Sequence, residues 1–158
     1  MTDPGPGELG QGQDVASLEG DEYDVAWRLV RSAVLAACSP WVSAGLAVVD
    51  ERGLEHDFGP ELEITPSSET AAQITVSLAD EEEASLTCGG VFFWVWRGTP
   101  EELAGSVAEV VRDVAEHGMV AAGEAARILT GEDSYGVGLS SFVPWRWRRS
   151  KRVFTPYR

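Results

Sequence analysis

A chain of 158 residues is long enough to bury the core of one domain without disulfide or metal staples. Its formal net charge of −14 is unevenly placed: six of the twelve basic residues fall in the last thirteen positions, which hold no acid, so the rest is strongly acidic. The two cysteines, Cys38 and Cys88, stand far apart in apolar segments, which reads as two buried thiols in a reducing compartment more readily than as a disulfide framework and leaves a single bridge as the alternative.

Residues 1–20 are dominated by Gly, Pro, Gln and acids and read as a disordered acidic tail. The first fifteen have neither the positive cluster nor the apolar core of a secretory signal, so a cytoplasmic location is expected. Asp21 then offers a helix cap, and Trp27, Val30, Val34 and Cys38 recur on one helical face up to a stop at Ser39-Pro40, predicting a helix over residues 22–38. The uncharged run 32–49 approaches the length of a membrane span, but Ser39-Pro40 divides it into a helix end and a strand start, and no transmembrane segment is expected.

From Trp41 the apolar period becomes two. Residues 41–49 and 54–58 around Asp50-Glu51-Arg52-Gly53 predict a hairpin, ended by Gly59-Pro60. Leu62 and Ile64, and then Ile74, Val76 and Leu78, alternate with polar residues and predict half-buried strands. Residues 85–97 read as one strand with Leu86, Cys88, Phe92, Trp94 and Trp96 on one face and Val91, Phe93 and Val95 on the other, apolar on both. Thr99-Pro100-Glu101-Glu102 is a capping box with proline at the first helical position, opening a long helix with Leu103, Val107, Val110 and Val114 as its buried stripe. His117-Gly118 ends or kinks it before a second helical stretch over 120–129.

These elements predict an α+β two-layer sandwich: an antiparallel meander sheet of four to five strands, with an N-terminal helix and a long C-terminal helix on one face. The domain spans 21–131, between the tail at 1–20 and a basic-aromatic C-terminal tail at 132–158. The layout is similar to that of small acidic binding proteins such as bacterial immunity proteins and secretion chaperones, a likeness of size, charge and element order.

No catalytic constellation is legible. Gly5-Pro6-Gly7-Glu8-Leu9-Gly10 spells a dinucleotide fingerprint without the strand and helix it needs, and Asp57-Phe58-Gly59 a kinase triplet without the rest of a kinase. Cys38, Cys88, His56 and His117 lack the short spacings of a zinc site, so neither metal nor cofactor is expected. His56-Asp57 and Glu116-His117 are sequence neighbours whose side chains diverge, which argues against acid–base work.

Two features point to binding. The strand Phe92-Phe93-Trp94-Val95-Trp96 carries more aromatic surface than a one-sided core can take; a central position with helices on both faces would cover Phe92, Trp94 and Trp96, and so would a partner protein, a homodimer contact or the chain's own tail. The acidic run at Glu81, Glu82 and Glu83 suits a basic partner. The tail presents Trp145, Arg146, Trp147, Arg148, Arg149, Lys151 and Arg152; it reads as a strap over the acidic body, as an arm for nucleic acid, or as a membrane-surface anchor, with the strap favoured by the opposite charge of the body. The expected function is a non-enzymatic intracellular binding protein for a basic or apolar protein partner; a nucleic-acid-binding accessory protein is the alternative, and an enzyme of unknown reaction the third.

Overall fold

The computed structural model describes residues 15–53, 59–130, 133–138 and 151–158, with side chains from residue 22 onward except at 133, 137 and 138. Helix α1 (Val15–Ser43) buries Ala26, Trp27, Val30, Val34, Ala37 and Cys38, the stripe its periodicity announces. It is longer than 22–38 at both ends and passes through Pro40. Proline lacks an N–H, yet Ala44 N donates to Pro40 O at 3.1 Å, Leu46 N donates to Trp41 O at 2.8 Å, and the Trp41 ring meets Tyr157 edge-on at 6.1 Å. Packing of the turn after Pro40 thus outweighs the local stop signal.

Strands β1 (Ala47–Arg52), β2 (Glu61–Pro66), β3 (Ile74–Asp80), β4 (Glu83–Cys88) and β5 (Val91–Trp96) form an antiparallel meander in chain order. β1 pairs with β2; the expected partner segment 54–58 lies outside the described residues, and positions 41–43 belong to α1. The expected single strand at 85–97 is two strands joined at Gly89-Gly90, both with positive φ (54° and 79°), as a type I′ turn demands. A two-residue turn reverses the parity of the buried positions. Leu86 and Cys88 therefore share the inner face with their register partners Phe93 and Val91, while Phe92, Trp94 and Trp96 face outward.

Helix α2 (Pro100–His117) starts where the capping box places it: Thr99 Oγ1 accepts from Glu102 N at 3.2 Å, and Gly118 closes the far end with φ 78°. Leu103, Val107, Val111 and Val114 are buried, whereas Val110 is only partly so. α1 and α2 pack on each other and on the inner face of the meander, where Leu62, Ile64, Ile74, Val76 and Leu86 are fully buried. The α+β class holds, but the long C-terminal helix does not: α2 has 18 residues and stands mid-chain.

A second sheet follows. β6 (Met119–Ala122), β7 (Ala125–Thr130), β8 (Asp133–Gly138) and β9 (Arg152–Phe154) lie antiparallel in the order β8-β7-β6-β9. The helix expected at 120–129 is thus the β6–β7 hairpin. Its alanines favour a helix by propensity, but burial alternates through Met119, Ala121, Ala126 and Ile128, and Gly123 turns the chain with φ 61°.

β9 begins a strap that ties the layers together. Thr155 N donates to Thr70 O at 2.9 Å, Tyr157 N to Ala115 O at 2.8 Å, and the buried Tyr157 hydroxyl to Ala72 O at 2.6 Å. A Cβ on Gly118 would collide with the carbonyl of Phe154, and one on Gly89 with the Phe154 ring, so both positions accept the strap only as glycine. Tyr157→Phe strands the Ala72 carbonyl and is expected to cost about 1–2 kcal/mol. Tyr157→Ala also opens a cavity and is expected to cost about 3–5 kcal/mol in urea unfolding. A wild-type midpoint for Tyr157→Ala would exclude the strap from the core.

Candidate functional site

The outer face of the meander changes character from one side to the other. On β1 and β2 it is charged, with Arg52 bridging to Glu61 at 3.4 Å and Glu63 at 3.3 Å. On β3 and β4 it carries hydroxyls: Thr75 opposite Thr87, and Ser77 bonded to Ser85 at 2.6 Å. On β5 it ends in Phe92, Trp94 and Trp96, which are 49%, 47% and 65% exposed. The Phe92 and Trp94 rings meet edge-on with centroids 4.8 Å apart, a contact that fixes their orientation without burying them.

Register joins the aromatic row to the acidic run. Glu83 lies directly opposite Trp96, and the turn before it holds Glu81 and Glu82, with Asp80 Oδ1 accepting from Glu82 N at 2.8 Å. Register thus puts Phe92, Trp94 and Trp96 on the same outer face as Glu83, with Glu81 and Glu82 in the adjoining turn. Of the tail residues, Trp145, Arg146, Trp147, Arg148 and Arg149 lie outside the described residues. Lys151 is exposed, and Arg152 places its guanidinium 5.7 Å from the Phe154 ring centre.

Sequence reasoning missed the inner wall of this surface. A groove of about 550 Å³ runs beside β5, lined by Phe93, Trp94, Val95, Trp96 and Arg97, by Ser106, Glu109 and Val110 of α2, and by Tyr135 of β8. Arg97 is pinned there, its Nε donating to Ser106 Oγ at 2.7 Å and its Nη1 to Trp96 O at 2.6 Å. Tyr135 donates to Asp113 Oδ2 at 2.8 Å, which ties β8 to α2 and, with burial, raises the phenol's pKa. No local signal marked this wall: the spacing of Val110 groups it with the buried stripe of the capped helix, and nothing local places Tyr135 across from it.

The thiols offer no reactive centre. Burial pushes Cys38 up to about 11 and Cys88 up to about 12, so both are neutral and poor nucleophiles at physiological pH. Among the described residues no three of His, Cys, Asp and Glu converge as metal ligands. No described helix is long and apolar enough to cross a membrane. The chain matches no known family model, no curated protein and no solved structure.

The raised thiol and phenol values have a consequence for stability. In the unfolded chain the cysteines lose protons near 9.0, whereas in the folded chain they hold them to about 11 and 12, so the unfolded state binds fewer protons across that window. Tyr135 and Tyr157 act in the same direction from 10.0 upward. Stability is expected to be independent of these groups below about pH 9 and to fall as pH rises above it. Melting temperatures from pH 7 to 11 test this, and Cys38→Ala with Cys88→Ala should flatten the fall; an unchanged slope would remove the thiols as its source.

Proposed function

We propose that this protein is a non-enzymatic binding module that engages a basic or apolar protein partner through the aromatic row of β5 and the acidic β3–β4 turn. The observation that carries the reading is the single outward row of Phe92, Trp94 and Trp96, three large rings held about half exposed with Glu83 abutting Trp96. Leaving such surface in water forgoes apolar burial and invites aggregation, a cost that contact with a partner offsets. Tryptophan is enriched among the residues that dominate binding energy, and neighbouring carboxylates steer a cationic partner and favour its register. A cytoplasmic setting belongs to the same proposal, on the strength of two free buried thiols.

The double substitution Trp94→Ala with Trp96→Ala tests it. Because neither ring is in the core, the variant is expected to remain folded, with a melting temperature within about 2–4 °C of wild type. A photo-cross-linker at position 87, opposite Phe92 on the same outer face, is expected to trap a partner in cells with wild type and at least about tenfold less with the variant, as loss of a central tryptophan contact implies. Unfolding of the variant would place the rings in the core, and undiminished cross-linking would move the site elsewhere; either result overturns the reading.

A further inference from the structure

Register gives every backbone group of β5 a direction. A two-residue hairpin exchanges both of its hydrogen bonds at the closing pair, here Cys88 with Val91. Val91, Phe93 and Val95 therefore bond to β4, and Arg97 keeps the same step by donating its N–H to Glu82 O at 3.0 Å. Phe92, Trp94 and Trp96 point their N–H and C=O groups the other way. β5 is the end strand of its sheet, so that other way is an edge with no paired strand among the described residues. The Trp96 carbonyl is taken by Arg97 Nη1. Among the described residues the backbone groups of Phe92 and Trp94 have no partner.

Beside this edge lies the groove between β5, α2 and Tyr135, across which β8 approaches β5 without a described backbone bond to it. Edges of this kind are commonly blunted by prolines, inward charges or short length. This one is six residues long, contains no proline and shows aromatic rings on its outer side. We infer that the β5 edge takes an extended segment of the partner as a sixth strand of the meander, bonded to the main chain of Phe92 and Trp94. The inference rests on the reading of the aromatic row as the partner-binding surface and specifies how that surface is used.

Charge and shape define the occupant. Alternate side chains of an added strand would lie on the outer face beside Phe92 and Trp94, where an apolar group packs or a guanidinium stacks. The intervening ones would enter the groove toward Val110 and Glu109, an aliphatic wall bearing a carboxylate. Glu81, Glu82 and Glu83 stand at the Trp96 end, and Arg97, the one cation among the described residues of the lining, is already held by Ser106 and Trp96. The surface thus suits an extended segment that alternates apolar residues with arginine or lysine.

The test uses the full chain and an alternating arginine–valine nonapeptide, with binding measured by calorimetry. Methylating alternate amides along one edge of the peptide is expected to weaken binding at least about tenfold, while methylating those of the opposite edge is not, since only one edge can pair with β5. Trp94→Ala removes the ring and keeps the N–H; Trp94→Pro also removes the N–H, which plays no part in the β4 ladder, and is expected to bind at least about tenfold more weakly than Trp94→Ala. Equal binding by both methylated peptides, or equal loss in both variants, would mean docking by side chains alone; the strand addition is then wrong and the aromatic surface stands. Absence of peptide binding overturns it too, with the surface judged separately by cross-linking. So does a wild-type dimer that Trp94→Pro dissolves, which would assign the edge to a second copy. Binding that emerges only when residues 139–150 are replaced by a Gly/Ser run of equal length would assign it to that segment instead. Should Trp94→Pro fail to fold, the methylated peptides decide the matter on the unaltered chain.

Discussion

Both helices and the segment that leads into β3 meet at Tyr157. Its ring is 4% exposed and lies edge-on to Trp41 of α1, its hydroxyl donates to the carbonyl of Ala72 before β3, and its amide donates to Ala115 in α2. A buried phenol costs free energy unless its hydroxyl is bonded, so the position of Ala72 is imposed on it as much as by it. The strap also dictates glycine at two distant points: Gly118, over which the Phe154 carbonyl passes, and Gly89, against which the Phe154 ring lies. Gly89 is at the same time half of the turn that sets the β4–β5 register. The packing of the last residues and the direction in which Trp94 faces are thus linked through one glycine.

That linkage explains what could be read from the chain and what could not. The α2 capping box, the stripe on α1 and the alternation of β2 and β3 are local patterns, and the structure repeats them. The faces of 85–97 were misread because alternation was carried through Gly89-Gly90 as if the chain ran straight. A Gly-Gly pair between apolar runs is itself a hairpin signal, and admitting it places Leu86 and Phe93 on one side. The failures at Pro40 and at 120–129 are of another kind: proline and alanine gave correct local preferences that packing against Tyr157 and pairing with β9 overrode.

The candidate site was half legible. That Phe92, Trp94 and Trp96 share a face follows from parity, and that they cannot all be core follows from their number. The neighbour relation of Glu83 to Trp96 depends on register, and the groove depends on β8 approaching β5, which no local pattern near Tyr135 discloses. The strap expected over the aromatic face turned on Trp145 and Trp147, which lie outside the described residues. The described part of it, residues 151–158, seals the junction of helices and sheets, while the aromatic row stays exposed.

An open edge flanked by exposed tryptophans is a hazard for any soluble protein, because a second copy offers the same edge in antiparallel register. The charge distribution does little against that hazard. Glu81, Glu82 and Glu83 sit at the Trp96 end of the row, on β4 and the turn before it, so in an antiparallel pair of copies the two acidic turns fall at opposite ends and repel each other little. A cationic segment instead meets those carboxylates directly, together with Glu109 in the groove. The acidity beside β5 therefore discriminates by attraction to a strand of opposite charge rather than by repulsion between copies, and the backbone of Phe92 and Trp94 supplies the pairing that such a strand would use.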